Sequence, residues 1–177
     1  MVKNEPGAIF TIPICYISNM KAASVIEIKQ RLKETDKKEL VELCLRLARF
    51  KKENKELLTY LLFEADDINT YIRHVNEETD LEFSEINTSN IYFAKKSLRK
   101  ILRHCNKFIR YTGDKKAEVE ILLHYLTNLH GLKVPWKKSP ALVNLYQAQL
   151  KKIGTTIDSM HEDLQWDYRK ELQRLIN

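Results

Sequence analysis

"SLRKILRHCNKFIRYTGDKKAEVEILLHYL", residues 97–126, carries two apolar periodicities separated by Gly113 and Asp114. At about 100° per residue, Ile91, Ala94, Leu98, Ile101, Leu102, Cys105, Phe108 and Ile109 fall on one side of a helix within roughly a third of its circumference. Gly113 suits the left-handed position that closes a helix, and Asp114 can cap the next one. The stretch therefore predicts a helix over 90–112 and a second ending at Gly131, with Val119, Leu122, Leu123 and Leu126 facing inward. A short connection between two such helices favours an antiparallel hairpin.

Working towards the N-terminus, a similar hairpin is legible in "ELVELCLRLARFKKENKELLTYLL" from Glu39. Each copy carries Leu or Ile pairs, a Phe near the helix end (Phe50, Phe108), a Lys-rich turn, then a leucine pair and a tyrosine (Leu57-Leu58-Tyr60, Leu122-Leu123-Tyr125). Two readings follow: stacked hairpins in a short α-solenoid, or two unrelated amphipathic pairs. Asp36, with Glu39 three residues on, opens the first of these helices. A narrower stripe, Val25, Ile28 and Leu32, predicts a docking helix before it, over about 22–33. Leu57, Leu58, Leu61, Leu62, Ala65, Ile68, Ile72 and Val75 keep one face, which predicts a single helix from near Asn54 to beyond Val75.

Towards the C-terminus, "LKVPWKKSP" is the clearest loop, and Ser139-Pro140 has the N-cap and first-turn residues of a helix start. Val143, Tyr146, Leu150, Ile153, Ile157, Met160 and Leu164 stay in register through Gly154. Ser159 and Glu162 nevertheless have capping-box spacing, so a break there is favoured over one long helix. With 4 Gly and 4 Pro in 177 residues and 44% hydrophobic content, the expectation is all-α: six or seven helices in antiparallel hairpins, α-solenoid-like or an irregular helical bundle.

Residues 1–19 read as a poorly ordered extension, or as sequence upstream of a start at Met20, and 20–177 as a single all-helical domain. Glu5, Pro6 and Pro13 argue against a secretory leader, and the apolar run 8–17 is too short to span a bilayer. Cys15, Cys44 and Cys105 are odd in number and far apart, so neither a disulfide framework nor a zinc knuckle is expected. Reduced cysteines of this kind imply the cytoplasm.

Charge is unevenly divided. Residues 1–85 carry 13 Lys+Arg against 16 Asp+Glu, whereas residues 86–177 carry 17 against 8, in a chain of net charge +6. Lys95, Lys96, Arg99, Lys100, Arg103, Lys107 and Arg110 share the polar side of the 90–112 helix, with Tyr92 and Asn106 among them, and Lys115 and Lys116 follow. Such a strip can hold an anionic partner, a protein or a nucleic acid. Nucleic-acid binding through it would be salt-sensitive and without sequence specificity, with Tyr92, Tyr111 or Trp136 available for stacking on unpaired bases. It can equally be a solvated face, complemented by the acidic residues of 64–85. An amphipathic helix needed for packing is not free to lie on a membrane, so no membrane partner is expected.

No strained Ser elbow, Gly-rich phosphate loop or Glu-x-x-His pair is present, so no cofactor and no enzymatic activity are expected. Glu120, His124 and His161 are the best residues for a metal-dependent helical enzyme, a third reading. From Met20 onward the layout resembles small all-helical bacterial protein families of unknown function, with helical hairpins followed by a polar, aromatic C-terminal helix. That resemblance is one of pattern and implies no active site. The leading expectation is a non-enzymatic interaction module for a protein or other anionic partner, with nucleic-acid binding as the alternative.

Overall fold

A computed structural model describes residues 21–176. The expectation for residues 1–19 lies outside the described residues. Those described form eight α-helices: α1 (Val25–Glu34), α2 (Lys37–Phe50), α3 (Lys52–Phe63), α4 (Ile68–Ser84), α5 (Ile91–Thr112), α6 (Lys115–Gly131), α7 (Pro140–Asp158) and α8 (Glu162–Ile176). A single 3₁₀ turn, Trp136–Lys138, lies in the loop before α7. Among the described residues there is no strand.

Eight helices exceed the six or seven expected, and the excess arises at residues 64–67. There the amides of Glu64 and Ala65 both donate to the Tyr60 carbonyl, ending α3. Asp67 leaves the helical region (φ −129°, ψ 83°) and its carboxylate accepts from the Thr70 amide at 3.0 Å, starting α4. Apolar register alone runs through this break, because Ile68 resumes near the phase that Leu57 and Leu61 leave. The capping carboxylate decides against one helix.

By its internal contacts the chain divides into two units, Met1–Leu47 and Ala48–Asn177. In the described part of the first, Ser24 and Glu27 form a capping box at the start of α1. Asp36 caps α2, accepting from the amides of Lys38 and Glu39. Neither α1 nor α2 has a buried residue.

The second unit is built round α6. Ala117, Val119, Ile121, Leu122, Leu123, Tyr125, Leu126 and Leu129 are all buried, and a helix apolar round most of its circumference belongs at the centre of a core. It packs against α4, α5, α7 and α8. One helix meeting four others is the arrangement of a helical bundle; in a solenoid each hairpin would meet only its neighbours. Asp114 caps α6 by accepting from the Ala117 amide at 2.9 Å. Tyr125, fully buried, donates to the Leu98 carbonyl of α5 at 3.0 Å, so the one polar atom that α6 takes into the interior is satisfied there.

α7 runs unbroken through Gly154, where an added Cβ would meet only the Leu172 side chain, at 3.9 Å. The break falls at Ser159, as the spacing suggests, but Ser159 closes α7 instead of capping α8. Its hydroxyl donates to the Thr156 carbonyl, and α8 starts from the His161 carbonyl. Ser139 precedes Pro140 at the start of α7 without a side-chain capping bond.

Candidate anion-binding surface

α5 is held firmly at both ends and along one side. Asn90 caps it, accepting from the Tyr92 amide at 2.8 Å. Gly113 closes it at φ 60°, the left-handed conformation in which a Cβ is disfavoured. Ala94, Leu98, Ile101, Cys105 and Ile109 are buried, and Ile91, Leu102 and Phe108 pack against the core. The apolar side read from the sequence is therefore the side that α5 buries.

Burial of that side fixes where the cations point. Setting Lys95 at 0° and advancing about 100° per residue, Asn106, Arg99, Arg110, Arg103 and Lys96 follow at about 20°, 40°, 60°, 80° and 100°. Lys107 and Lys100 close the strip at about 120° and 140°. These cations differ in what surrounds them.

At the far edge, acidic side chains from α3 and α4 reach across. The Lys107 ammonium lies 2.8 Å from Glu56 Oε2 and 4.6 Å from the Phe108 ring centroid. Tyr111 donates to the same oxygen of Glu56 at 2.8 Å. Burial pushes the Glu56 carboxyl up, but the Lys107 and Tyr111 hydrogen bonds and the charges of Lys107 and Lys52 outweigh it and leave the group below the ordinary carboxylate range. Burial and the Glu56 hydrogen bond together raise the Tyr111 phenol. Glu82 serves Lys100 at 3.5 Å and His104 at 2.9 Å.

The near edge is closed from the other side. Lys152 of α7 donates to Asn106 Oδ1 at 3.0 Å and pairs with Glu118 at 2.7 Å. Lys95 sets its ammonium 5.8 Å from the Tyr92 ring centroid. Between the edges, no ion pair or hydrogen bond among the described residues engages the side chains of Lys96, Arg99, Arg103 and Arg110. All four are exposed.

Lys115 and Lys116 are not drawn into this row. Lys115 donates to the Ser159 carbonyl at 2.6 Å, and Lys116 to Asn69 Oδ1 at 2.7 Å with Glu120 at 3.8 Å. They serve as ties to the end of α7 and to α4. Of the acidic residues in 64–85, only Glu82 meets α5 cations. Asp80 instead pairs with His124 of α6 at 2.6 Å and accepts from Asn128 at 2.6 Å. Complementarity between α4 and α5 thus covers one edge of the strip and leaves its middle open.

The three aromatics considered for stacking have separate fates. Trp136 is buried, at 6% exposure, and stacks on Tyr146 with ring centroids 4.8 Å apart. Tyr111 is half-buried and spent on Glu56. Tyr92 is 62% exposed. It precedes Arg110 by 18 residues, five full turns of a helix, and so lies on the line of the open cations.

Glu120, His124 and His161 do not assemble. Glu120 accepts from Tyr168 at 2.6 Å, His124 faces Asp80, and His161 lies 3.3 Å from Asp163. Among the described residues no three His, Cys, Asp or Glu side chains group as metal ligands. Cys105 packs in the core beside Thr79, where burial pushes its thiol up to about 11; Cys44 is exposed. Among the described residues no helix is long and apolar enough to cross a membrane.

Glu56 and Glu118 shape this surface without having stood out in the sequence. The contact of Glu56 with Lys107 and those of Lys152 with Asn106 and Glu118 join different helices far apart in the chain, a separation at which helix periodicity carries no signal. No protein-family model, curated protein or solved structure matches this chain.

Proposed function

We propose that this chain is a non-enzymatic interaction module that holds an anionic partner on the outward row of α5. One observation carries the proposal: Lys96, Arg99, Arg103 and Arg110 stand open on a core-anchored helix, while Lys100 and Lys107 at its far edge are neutralised by Glu82 and Glu56. Four like charges along about 21 Å of one helix raise the potential over that face and repel one another. A bound polyanion relieves both. Because α5 is fixed by its buried side and its caps, little ordering of the backbone is needed on binding.

Arginine provides three of the four charges. Its planar fork meets carboxylate or phosphate oxygens in pairs, and it loses less freedom per hydrogen bond than lysine.

The test is retention on an immobilised polyanion. Wild-type protein should be held at low salt and released as salt rises, because the contacts are exposed and screened. Arg99→Glu/Arg103→Glu should pass through, with an unchanged melting temperature. Retention of the double variant as strong as that of wild type would remove α5 from the reading.

A further inference from the structure

The anionic partner is open in class, and the row of α5 narrows it. We infer that its occupant is a single strand of nucleic acid, with phosphates on Lys96, Arg99, Arg103 and Arg110 and a base on the ring of Tyr92. This rests on the interaction reading given above and specifies its partner.

Three features separate this occupant from the others. An exposed aromatic ring lies on the same line as the open cations: Tyr92, with Phe93 beside it edge-to-face at 5.6 Å, begins a row that ends at Arg110 about 27 Å further along the helix. Every base has a π-face, so a ring in line with cations binds a strand by stacking and charge together, without reading its sequence. An acidic protein segment has no use for such a ring at one end of a charged row. It would instead call for an apolar patch at the interface centre with the charges round its rim, and the centre of this row is Arg99 and Arg103.

The surroundings of α5 disfavour a duplex read through its groove. A helix entering a major groove about 12 Å wide must stand clear of its neighbours. Here Glu56 and Glu82 from α3 and α4 reach α5 on one side and Lys152 from α7 on the other, so the row lies in a broad face and not on a ridge. Those carboxylates mark the far edge of the track as well, since a phosphate displaced to that side meets Glu82 or Glu56. A flexible strand can follow such a track along its length; a stiff duplex touches it over a shorter stretch.

The proposal fixes a salt dependence and a stacking contribution, which are separately measurable. The full chain would be titrated into fluorescein-labelled 20-nucleotide oligouridylate, a mixed-sequence duplex of equal length, and a polyglutamate peptide of similar charge, reading anisotropy at three salt concentrations. The single strand should bind tightest. With four phosphates neutralised, the log of its binding constant should fall with log salt at a slope near −3, at about 0.7 per phosphate. Arg99→Gln/Arg103→Gln should reduce that slope by roughly half.

Tyr92→Ala should weaken binding at least about five-fold and leave the slope alone, because the ring carries no charge, while Tyr92→Phe should keep most of the affinity. Binding of oligouridylate that is indifferent to Tyr92→Ala, or a duplex or polyglutamate bound as tightly as the strand, overturns the single-strand assignment and leaves the module reading standing. Absence of binding to all three polyanions at low salt overturns both.

Discussion

Along α2, Leu40, Leu43, Cys44 and Leu47 stand at the same spacing (i, i+3, i+4, i+7) as Leu98, Ile101, Leu102 and Cys105 along α5. The two helices are comparably amphipathic on paper, and each ends near a phenylalanine. Yet α2 buries no residue and α5 buries five. Phe50 is 75% exposed, whereas Phe108 is packed against the core and under the Lys107 ammonium. The periodicity of a helix states which side is apolar; the elements packed beside it decide whether that side leaves water. α5 has α4 and α6 against its apolar side. The supposed repeat is thus a likeness of pattern between a helix that buries five residues and one that buries none.

Truncating matched leucines gives the sharpest version of this contrast. Leu98→Ala empties a fully buried site on α5, beside the carbonyl that Tyr125 uses, and should cost about 2–5 kcal/mol. Leu43→Ala on α2, where the residue is 37% exposed, should cost less than about 1 kcal/mol. Urea unfolding of the two variants measures both. Equal losses would mean that the apolar side of α2 is buried after all, and the distinction between the helices would fall.

Within α5 the same contrast recurs between an engaged edge and an open middle, and here pH separates the two. Glu56 stabilises the fold through Lys107 and Tyr111 while it is ionised. Its folded carboxyl lies below the ordinary range, so the contribution is present above the unfolded value near 4.3 and is lost as pH falls through the lower, folded value. Glu56→Gln should therefore be less stable than wild type by roughly 1 kcal/mol at pH 7. The gap should close as thermal melts are taken below about pH 4. A gap independent of pH would assign Glu56 a packing role only.

Much of this molecule was legible one helix at a time. The buried side of α5, the Gly113 closure, the Asp114 cap and the end of α7 near Ser159 all follow from rules that reach four residues or fewer. The break at 64–67 obeys such a rule too, through the Asp67 cap, but the apolar register that continues across it hides the break from a reading of periodicity. What could not be read locally was which cations remain open. Lys100, Lys107, Lys115 and Lys116 look like Arg99 and Arg103 in sequence, and only packing brings Glu82, Glu56, Ser159 and Asn69 to them. Of nine candidate cations on one strip and its continuation, the fold engages four, Lys95 keeps only the Tyr92 ring, and Lys96, Arg99, Arg103 and Arg110 stay open.

That selection leads to the smallest effect on stability and the most specific one on binding. Arg99 and Arg103 form no ion pair with a carboxylate among the described residues, so Arg99→Gln/Arg103→Gln removes like-charge repulsion and no salt bridge. Its unfolding free energy should stay within about 0.5 kcal/mol of wild type. A gain would be in keeping with four like charges relieved of two. Lys107→Gln makes the control, since it deletes the partner of Glu56 and should destabilise at neutral pH while leaving the open row intact. If the open arginines served the fold, their removal would cost as much as that of the lysine; if they serve a partner, the lysine variant loses stability and keeps its polyanion, and the arginine pair does the reverse.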